Sequence, residues 1–193
     1  MGIEFELKFS ATPQAQAQIR EAYPLAYGRF RMETTYYDTA NFALSDRKIT
    51  LRKRMENGEA VCTVKTPVSG YGRGEWECRC EDIQAGILEL CKLGAPKTLY
   101  VLTEEGVAPV CGARFDRLAG KIDFEGTVLE LALDQGVLLG GGQEVPLCEV
   151  EVELKSGDPE QAVAFAMGLA QRFGLEPEHK SKFRRALALA RGD

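Results

Sequence analysis

Apolar and charged positions alternate at the start of the chain. In an extended strand Ile3, Phe5 and Leu7 fall on one side, and Glu4, Glu6 and Lys8 on the other. The same alternation returns late in the sequence, where Glu149, Glu151, Glu153 and Lys155 interleave with Val150, Val152 and Leu154. Between these two runs the pattern predicts strands over 26–38, 48–56, 59–67 and 75–82. Asn57-Gly58 marks a hairpin between the second and third of these. A second hairpin is expected from 110–124 and 127–134 around Phe124-Glu125-Gly126. Asp134-Gln135-Gly136 then reads as a turn into a short strand at 137–139, and 145–155 as the last strand.

Helical signals punctuate the strands. Thr12-Pro13 opens a helix to about Ala22, with a capping hydroxyl and a proline in the first turn. A short helical turn is expected at 40–46, and helices at 83–93, 96–104 and 178–191. Asp158-Pro159 opens another helix, which Gly174 stops. Gly70, Gly72 and Gly74 read as a flexible loop. Strands arranged mostly in hairpins predict one antiparallel sheet, closed or nearly closed as a barrel, with helices outside. The charged face of each strand is then either the solvated exterior or the lining of a wet interior.

Composition narrows the class. With 193 residues, and with ordinary apolar and charged fractions, the chain fits a soluble globular protein of one large domain or two small ones. A net charge of −5 argues against general nucleic-acid binding. No apolar run is long enough for a membrane span, and the first residues lack the basic and apolar regions of a signal peptide, so a cytoplasmic protein is expected. Six cysteines occur without any CxxC spacing and read as reduced thiols. The single histidine, His179, excludes a histidine metal cluster, and no GxSxG motif supports serine hydrolase chemistry.

Charge repeats at two-residue spacing on several strands. Besides the two acidic runs, Arg52 and Arg54 share a face, as do Arg73, Glu75, Glu77 and Arg79; Lys65 stands alone between Val64 and Thr66. A solvated sheet face explains any one of these strands, but not so many arginines and glutamates together. Glutamate oxygens suit Mg²⁺ or Mn²⁺, and arginine forks and lysine ammonium groups suit phosphate oxygens. No GxxxxGK[ST] loop is present, so side chains would have to grip the phosphates.

Glu4-Phe5-Glu6-Leu7-Lys8 is an ExExK motif. It is followed in order by Tyr36-Tyr37-Asp38-Thr39, Leu51-Arg52-Lys53-Arg54, Thr63-Val64-Lys65, Arg73-Gly74-Glu75, Glu130-Leu131-Ala132-Leu133-Asp134-Gln135-Gly136, Cys148-Glu149-Val150-Glu151-Val152-Glu153-Leu154 and Ser181-Lys182. Over essentially its whole length the sequence resembles the CYTH superfamily, the triphosphate tunnel metalloenzymes, and within it the bacterial inorganic triphosphatases. The resemblance implies an α+β, mainly antiparallel fold: a closed eight-stranded β-barrel, the triphosphate tunnel, with flanking helices. It implies a single CYTH domain over 1–193, without the helical CHAD domain that several such proteins carry. It also implies hydrolysis of a small-molecule triphosphate with Mg²⁺ or Mn²⁺, and neither nucleic acid nor membrane as a partner.

Residue by residue, the resemblance makes Glu4 and Glu6 metal ligands together with one or more of Glu149, Glu151 and Glu153. Lys8, Arg52, Arg54, Lys65 and Arg117 become phosphate-binding residues, with Arg117 matching better than Arg114. Lys182 is the lysine of the C-terminal helix, and Arg185 is a candidate one turn on. Glu75 sits on the tunnel wall, where it holds a second metal or orients water. Glu4, Glu6, Lys8, Glu75 and Lys182 form the expected catalytic set. Asp134 is either a site residue or a turn residue, and at most one of Tyr36 and Tyr37 points inward. Other readings are a class IV adenylate cyclase, a thiamine triphosphatase, and a polyphosphate- or nucleotide-binding module.

Overall fold

The structure, a computed structural model, describes residues 2–68 and 73–192. In chain order the elements are β1 (Gly2–Glu4), β2 (Glu6–Ser10), α1 (Pro13–Ala22), β3 (Gly28–Asp38), α2 (Ala43–Asp46), β4 (Thr50–Glu56), β5 (Glu59–Pro67) and β6 (Arg73–Arg79). They continue with α3 (Ile83–Lys92), α4 (Lys97–Thr103), β7 (Ala108–Phe124), β8 (Thr127–Gly140), β9 (Gln143–Ser156), α5 (Pro159–Phe173), β10 (Glu176–Pro177) and α6 (Lys182–Arg191). Gly70 and Gly72 of the expected loop lie outside the described residues, and Gly74 belongs to β6.

All strand pairs among the described residues are antiparallel, in the order β1-β6-β5-β4-β3-β7-β8-β9-β2-β10. The expectation of a closed eight-stranded barrel is therefore met only in part. Ten strands form one sheet among the described residues, and its hydrogen bonding does not run round into a ring. The reason lies at Phe5. The N-terminal run breaks there, so β1 pairs with β6 at one edge while β2 pairs with β9 near the other. The Phe5 carbonyl still accepts a hydrogen bond from the Leu154 amide, at 2.9 Å.

Alternation decides which face is which. On β9, Val150 and Val152 are fully buried against α5 and α1, in a core with Phe9, Ile19, Leu131, Phe165 and Leu169. On β4 and β5, Leu51, Cys62 and Val64 pack with Ile87, Leu90 and Leu99 of α3 and α4. Ala186 of α6 joins Met32, Ala113, Phe115, Leu138 and Leu147 in a third cluster. The first two apolar faces thus lie under helices on the outside, the charged faces turn to the concave side, and α6 packs across that concave side over Met32 and Phe115.

Two further expectations change. Asp134-Gln135-Gly136 is no turn but the middle of β8, where Asp134 pairs with Arg117 and Glu149. Gly136 is there for close approach, since a Cβ would meet the Arg114 carbonyl oxygen at 2.1 Å and the Phe115 Cα at 2.5 Å. The C-terminal helix starts at Lys182, not near 178. Residues 176–177 pair with β2 first, and the Ser181 hydroxyl caps α6 by accepting from the Arg184 amide. The six cysteines are free thiols. No helix among the described residues is long and apolar enough to cross a membrane.

Candidate active site

The concave face encloses a cavity of ≈ 1170 Å³. Alternate residues of the strands line it. Glu4, Glu6 and Lys8 come from β1 and β2, and Glu151, Glu153 and Lys155 from β9. Arg52 and Arg54 come from β4, Lys65 from β5, Glu75 and Glu77 from β6, Arg117 from β7, and Lys182 from the first turn of α6. Register sets the neighbours: Glu6 lies across from Glu153, Lys8 from Glu151, and Lys65 from Glu75. Phe5, expected to pack behind the charged face, also lines the cavity, at the break between β1 and β2.

Two charge networks divide the site. In the first, Lys65 donates to Glu4 and lies 3.4 Å from Glu75. Arg52 stands 3.7 Å from Glu75 and 3.9 Å from Glu77, which also accepts from the Thr63 hydroxyl at 3.0 Å. The Nε atoms of Arg52 and Arg54 are buried without a partner. Arg54 is pushed down to about 10, first by the adjacent Arg52 charge and then by burial. Two crowded guanidiniums with unused donors form a strong anion site.

The second network lies under α6. The Lys182 ammonium is 2.9 Å from Asp134, 2.5 Å from Glu149 and 2.6 Å from Glu151. Arg117 forks onto Asp134 with two bonds of 2.7 Å and also reaches Glu151. Arg185 donates to Glu149 and lies 3.3 Å from Glu178. Asp134, Glu149 and Glu151 are the one carboxylate trio among the described residues close enough together to share a cation, and Lys182 fills that position. Burial disfavours the Glu151 charge, but Lys182, Arg117 and Lys8 outweigh it and hold this carboxyl well below the usual range.

The remaining carboxylates are less well served. Glu6 has Lys8 at 3.6 Å and keeps 30 % of its side chain open to the lumen. Burial, then the charges of Glu151 and Glu4, push its carboxyl up to about 7. Burial also raises Glu153, against the pull of Lys155 at 2.8 Å. Glu4 is lowered because Lys65 outweighs its burial. The Glu6–Glu153 corner is therefore short of positive charge.

All the expected site residues meet on this face. Glu149, Arg185 and Asp134 stand outside the cavity lining, locked in the network beneath α6. Of the two readings of Asp134, the strand position is the one found, with its side chain fully buried. Arg73 lines the cavity, but its guanidinium is tied to the Lys48 and Lys65 carbonyls and the Thr50 hydroxyl. Gln16 had no sequence signal. From α1 its amide donates to the carbonyls of Asp134 (3.1 Å) and Glu149 (2.7 Å) and accepts from Gln135 at 2.6 Å, pinning β8 to β9 behind the second network.

An antiparallel sheet with α1, α3, α4 and α5 on its outer apolar face, opposed acids and bases on its concave face, and α6 packed over the latter defines a charged-tunnel fold. The chain belongs to the CYTH domain family, which residues 2–187 match. It is similar to an inorganic triphosphatase of Haemophilus influenzae, 28 % identical over 194 residues, covering 96 % of this chain and 54 % of that one. The chain thus spans about half the length of this relative. Among solved structures, a putative adenylyl cyclase from Hippeastrum, described with a dominant triphosphatase activity, aligns at TM-score 0.64 and 21 % identity over 98 % of this chain and 96 % of that one. A protein of Pyrococcus horikoshii aligns at TM-score 0.63 and 21 % identity, covering 97 % of this chain and 99 % of its own. A putative adenylate cyclase of Bacillus halodurans aligns at 0.62 and 16 %, covering 95 % and 96 %. At these identities the structures establish the fold alone.

Proposed function

We propose that the chain hydrolyses inorganic triphosphate to pyrophosphate and phosphate in this cavity, with Mg²⁺ or Mn²⁺, and that a single CYTH domain in the cytoplasm holds the whole site. The observation that carries the reading is the opposition on one concave face of Lys8, Arg52, Arg54, Lys65, Arg117 and Lys182 to Glu4, Glu6, Glu151 and Glu153. The similarity to an inorganic triphosphatase supports it.

The donor set fits a hard divalent cation. Glu4, Glu6, Glu151 and Glu153 offer only oxygen, and the raised Glu6 carboxyl marks a corner that lacks positive charge. These residues would hold the metal, since all four line the cavity and Glu149 does not. When bound, the metal neutralises phosphate oxygens and polarises the phosphorus under attack.

The chain's own residues do the rest. Arg52 and Arg54, adjacent on the cavity wall, grip phosphate oxygens, and Lys8, Lys65 and Arg117 extend the grip along the tunnel. Glu75, held by Lys65 and Arg52, orients the attacking water. The water oxygen bonds to the terminal phosphorus as its proton passes by way of Glu75 to the phosphate products, and the bond to the bridging oxygen breaks. Its electrons leave with pyrophosphate, whose charge the arginines stabilise. Lys182 acts from α6 by holding Glu151 ionised toward the lumen.

The test is phosphate release from triphosphate in Mg²⁺ and in Mn²⁺, with ATP in parallel. Metal-dependent hydrolysis abolished in Glu4→Gln and Glu6→Gln supports the reading. Lys65→Ala should raise KM about tenfold or more, the loss of one charge-assisted contact. Cyclic AMP from ATP would assign a cyclase, and tight metal-dependent binding without turnover a binding module. Full activity in both glutamine variants would remove Glu4 and Glu6 from the metal site.

A further inference from the structure

The segment carrying α3 and α4 takes no part in the tunnel: none of its described residues lines the cavity. Ile87, Leu90 and Leu99 bury its inner side against β4–β6. Its outer side carries several exposed apolar residues among its charges. Leu88 and Tyr100 are each 49 % exposed, Val101 is 66 % exposed, and Leu93 is exposed just past the end of α3. Four of the six large exposed hydrophobic residues among those described fall in this segment. Val163 and Met167 on α5 are the other two.

The outer stripe of α4 runs Lys97, Tyr100, Val101, Glu104, all exposed and at the spacing of one helical face. Its charges stand the wrong way round for the helix itself. A cation sits at the N-terminal end, and Glu104 and Glu105 sit at and beyond the C-terminal end, opposing the macrodipole. Neither Lys97 nor Glu104 has an ion-pair partner in the chain among the described residues. The arrangement is self-complementary, however. If two copies of α4 lie antiparallel about a twofold axis between Tyr100 and Val101, Lys97 of each faces Glu104 of the other. The apolar pair then meets itself at the centre, as isologous contacts require.

We propose that this face is a homodimer interface, centred on Tyr100 and Val101 and framed by reciprocal Lys97–Glu104 pairs. Leu88, one turn before the Cys91 that packs at the Tyr100 backbone, extends the apolar centre onto α3. Dimerisation through this face leaves the tunnel open, so the proposal is independent of the activity assigned above. The occupant is a second copy because the exposed stripe, reversed, is complementary in charge to itself.

The test is sedimentation equilibrium of the full chain from about 1 to 100 μM, the range over which a modest interface dissociates. The wild type should pass from 21.2 kDa toward twice that mass. Val101→Asp should remain monomeric throughout. Lys97→Glu alone, and Glu104→Lys with Glu105→Lys, should each weaken the dimer about tenfold through like-charge opposition. An equimolar mixture of these two variants should restore dimerisation, because each then presents the charge that the other lacks. The positions are exposed, so circular dichroism should be unchanged. A wild-type monomer at the highest concentration, a dimer insensitive to Val101→Asp, or a mixture no tighter than its components would each overturn the proposal.

Discussion

Replacing Lys182 by methionine removes one ammonium from among three carboxylates while keeping the bulk of the side chain. In the wild type the network is balanced: Asp134, Glu149 and Glu151 against Lys182, Arg117 and Arg185. The lysine side chain is only 9 % exposed, and Asp134 and Glu149 are fully buried, so water cannot replace the lost charge. Removing one partner of such a buried network costs about 3–5 kcal/mol. For a domain of this size that is a fall of about 6–20 °C in Tm. The sign of the pH dependence follows from the carboxylates. In the wild type Glu151 is held well below 4.5, so its contribution is present above that value and lost as pH falls through the depressed one. In the variant one carboxyl of the trio is left in excess and its pKa rises. The penalty is then largest at neutral pH and shrinks as the pH falls toward 4.5. Thermal unfolding of both proteins, without divalent metal, from pH 8 down to about pH 4 measures it. A difference under about 2 °C at neutral pH, or one that stays constant across the range, would show that Lys182 is solvated and not the hub of the network.

Other changes test the frame around the site. Gly136→Ala puts a methyl group against the Arg114 carbonyl and Phe115 Cα, so β7 and β8 must separate. Urea unfolding should show a loss of about 3 kcal/mol, and a loss under about 0.5 kcal/mol would refute the close approach. Gln16→Leu leaves two buried carbonyls without their donor and should cost about 2 kcal/mol or more in the same assay. Gly86→Ala would bring a methyl group within 2.7 Å of the Cys62 sulfur. Adding Cys62→Ala removes the sulfur but keeps the Cβ at 2.9 Å, so it should recover part of the lost stability, and a strictly additive double variant would place the clash elsewhere.

Strand identity was legible wherever one face was charged and the other apolar. β4, β6 and β9 follow from alternation and β5 from the Asn57-Gly58 hairpin, whereas the meeting of Arg52, Lys65, Glu75 and Glu151 at one site followed from the family resemblance. Asp134-Gln135-Gly136 misled because its composition is that of a turn. Its glycine serves instead a contact with β7, which only the three-dimensional register reveals. Local spacing could not show the break at Phe5 either, since β1 and β2 answer to different partners. Gln16 was invisible for a similar reason. It reads as one polar residue on a helix, yet it bonds to carbonyls 118 and 133 positions away. The division of labour among the glutamates also depended on distance: Glu149 and Glu151 share a strand face, but only Glu151 lines the cavity.

The broken first strand bears on how the chain assembles. β1 waits for β6, and β2 for the still later β9, so neither half has a neighbour in sequence with which to form a hairpin. The hairpins from β4 to β6 and from β7 to β9 can zip locally, but the residues carrying Glu4, Glu6 and Lys8 must be captured across long loops whose closure entropy comes first. As a nascent chain lengthens, β6 becomes available to Glu4, but Glu6 and Lys8 remain outside their partner strand until β9 has emerged. The last seam to form in folding is then the one that brings the acidic motif to face its bases.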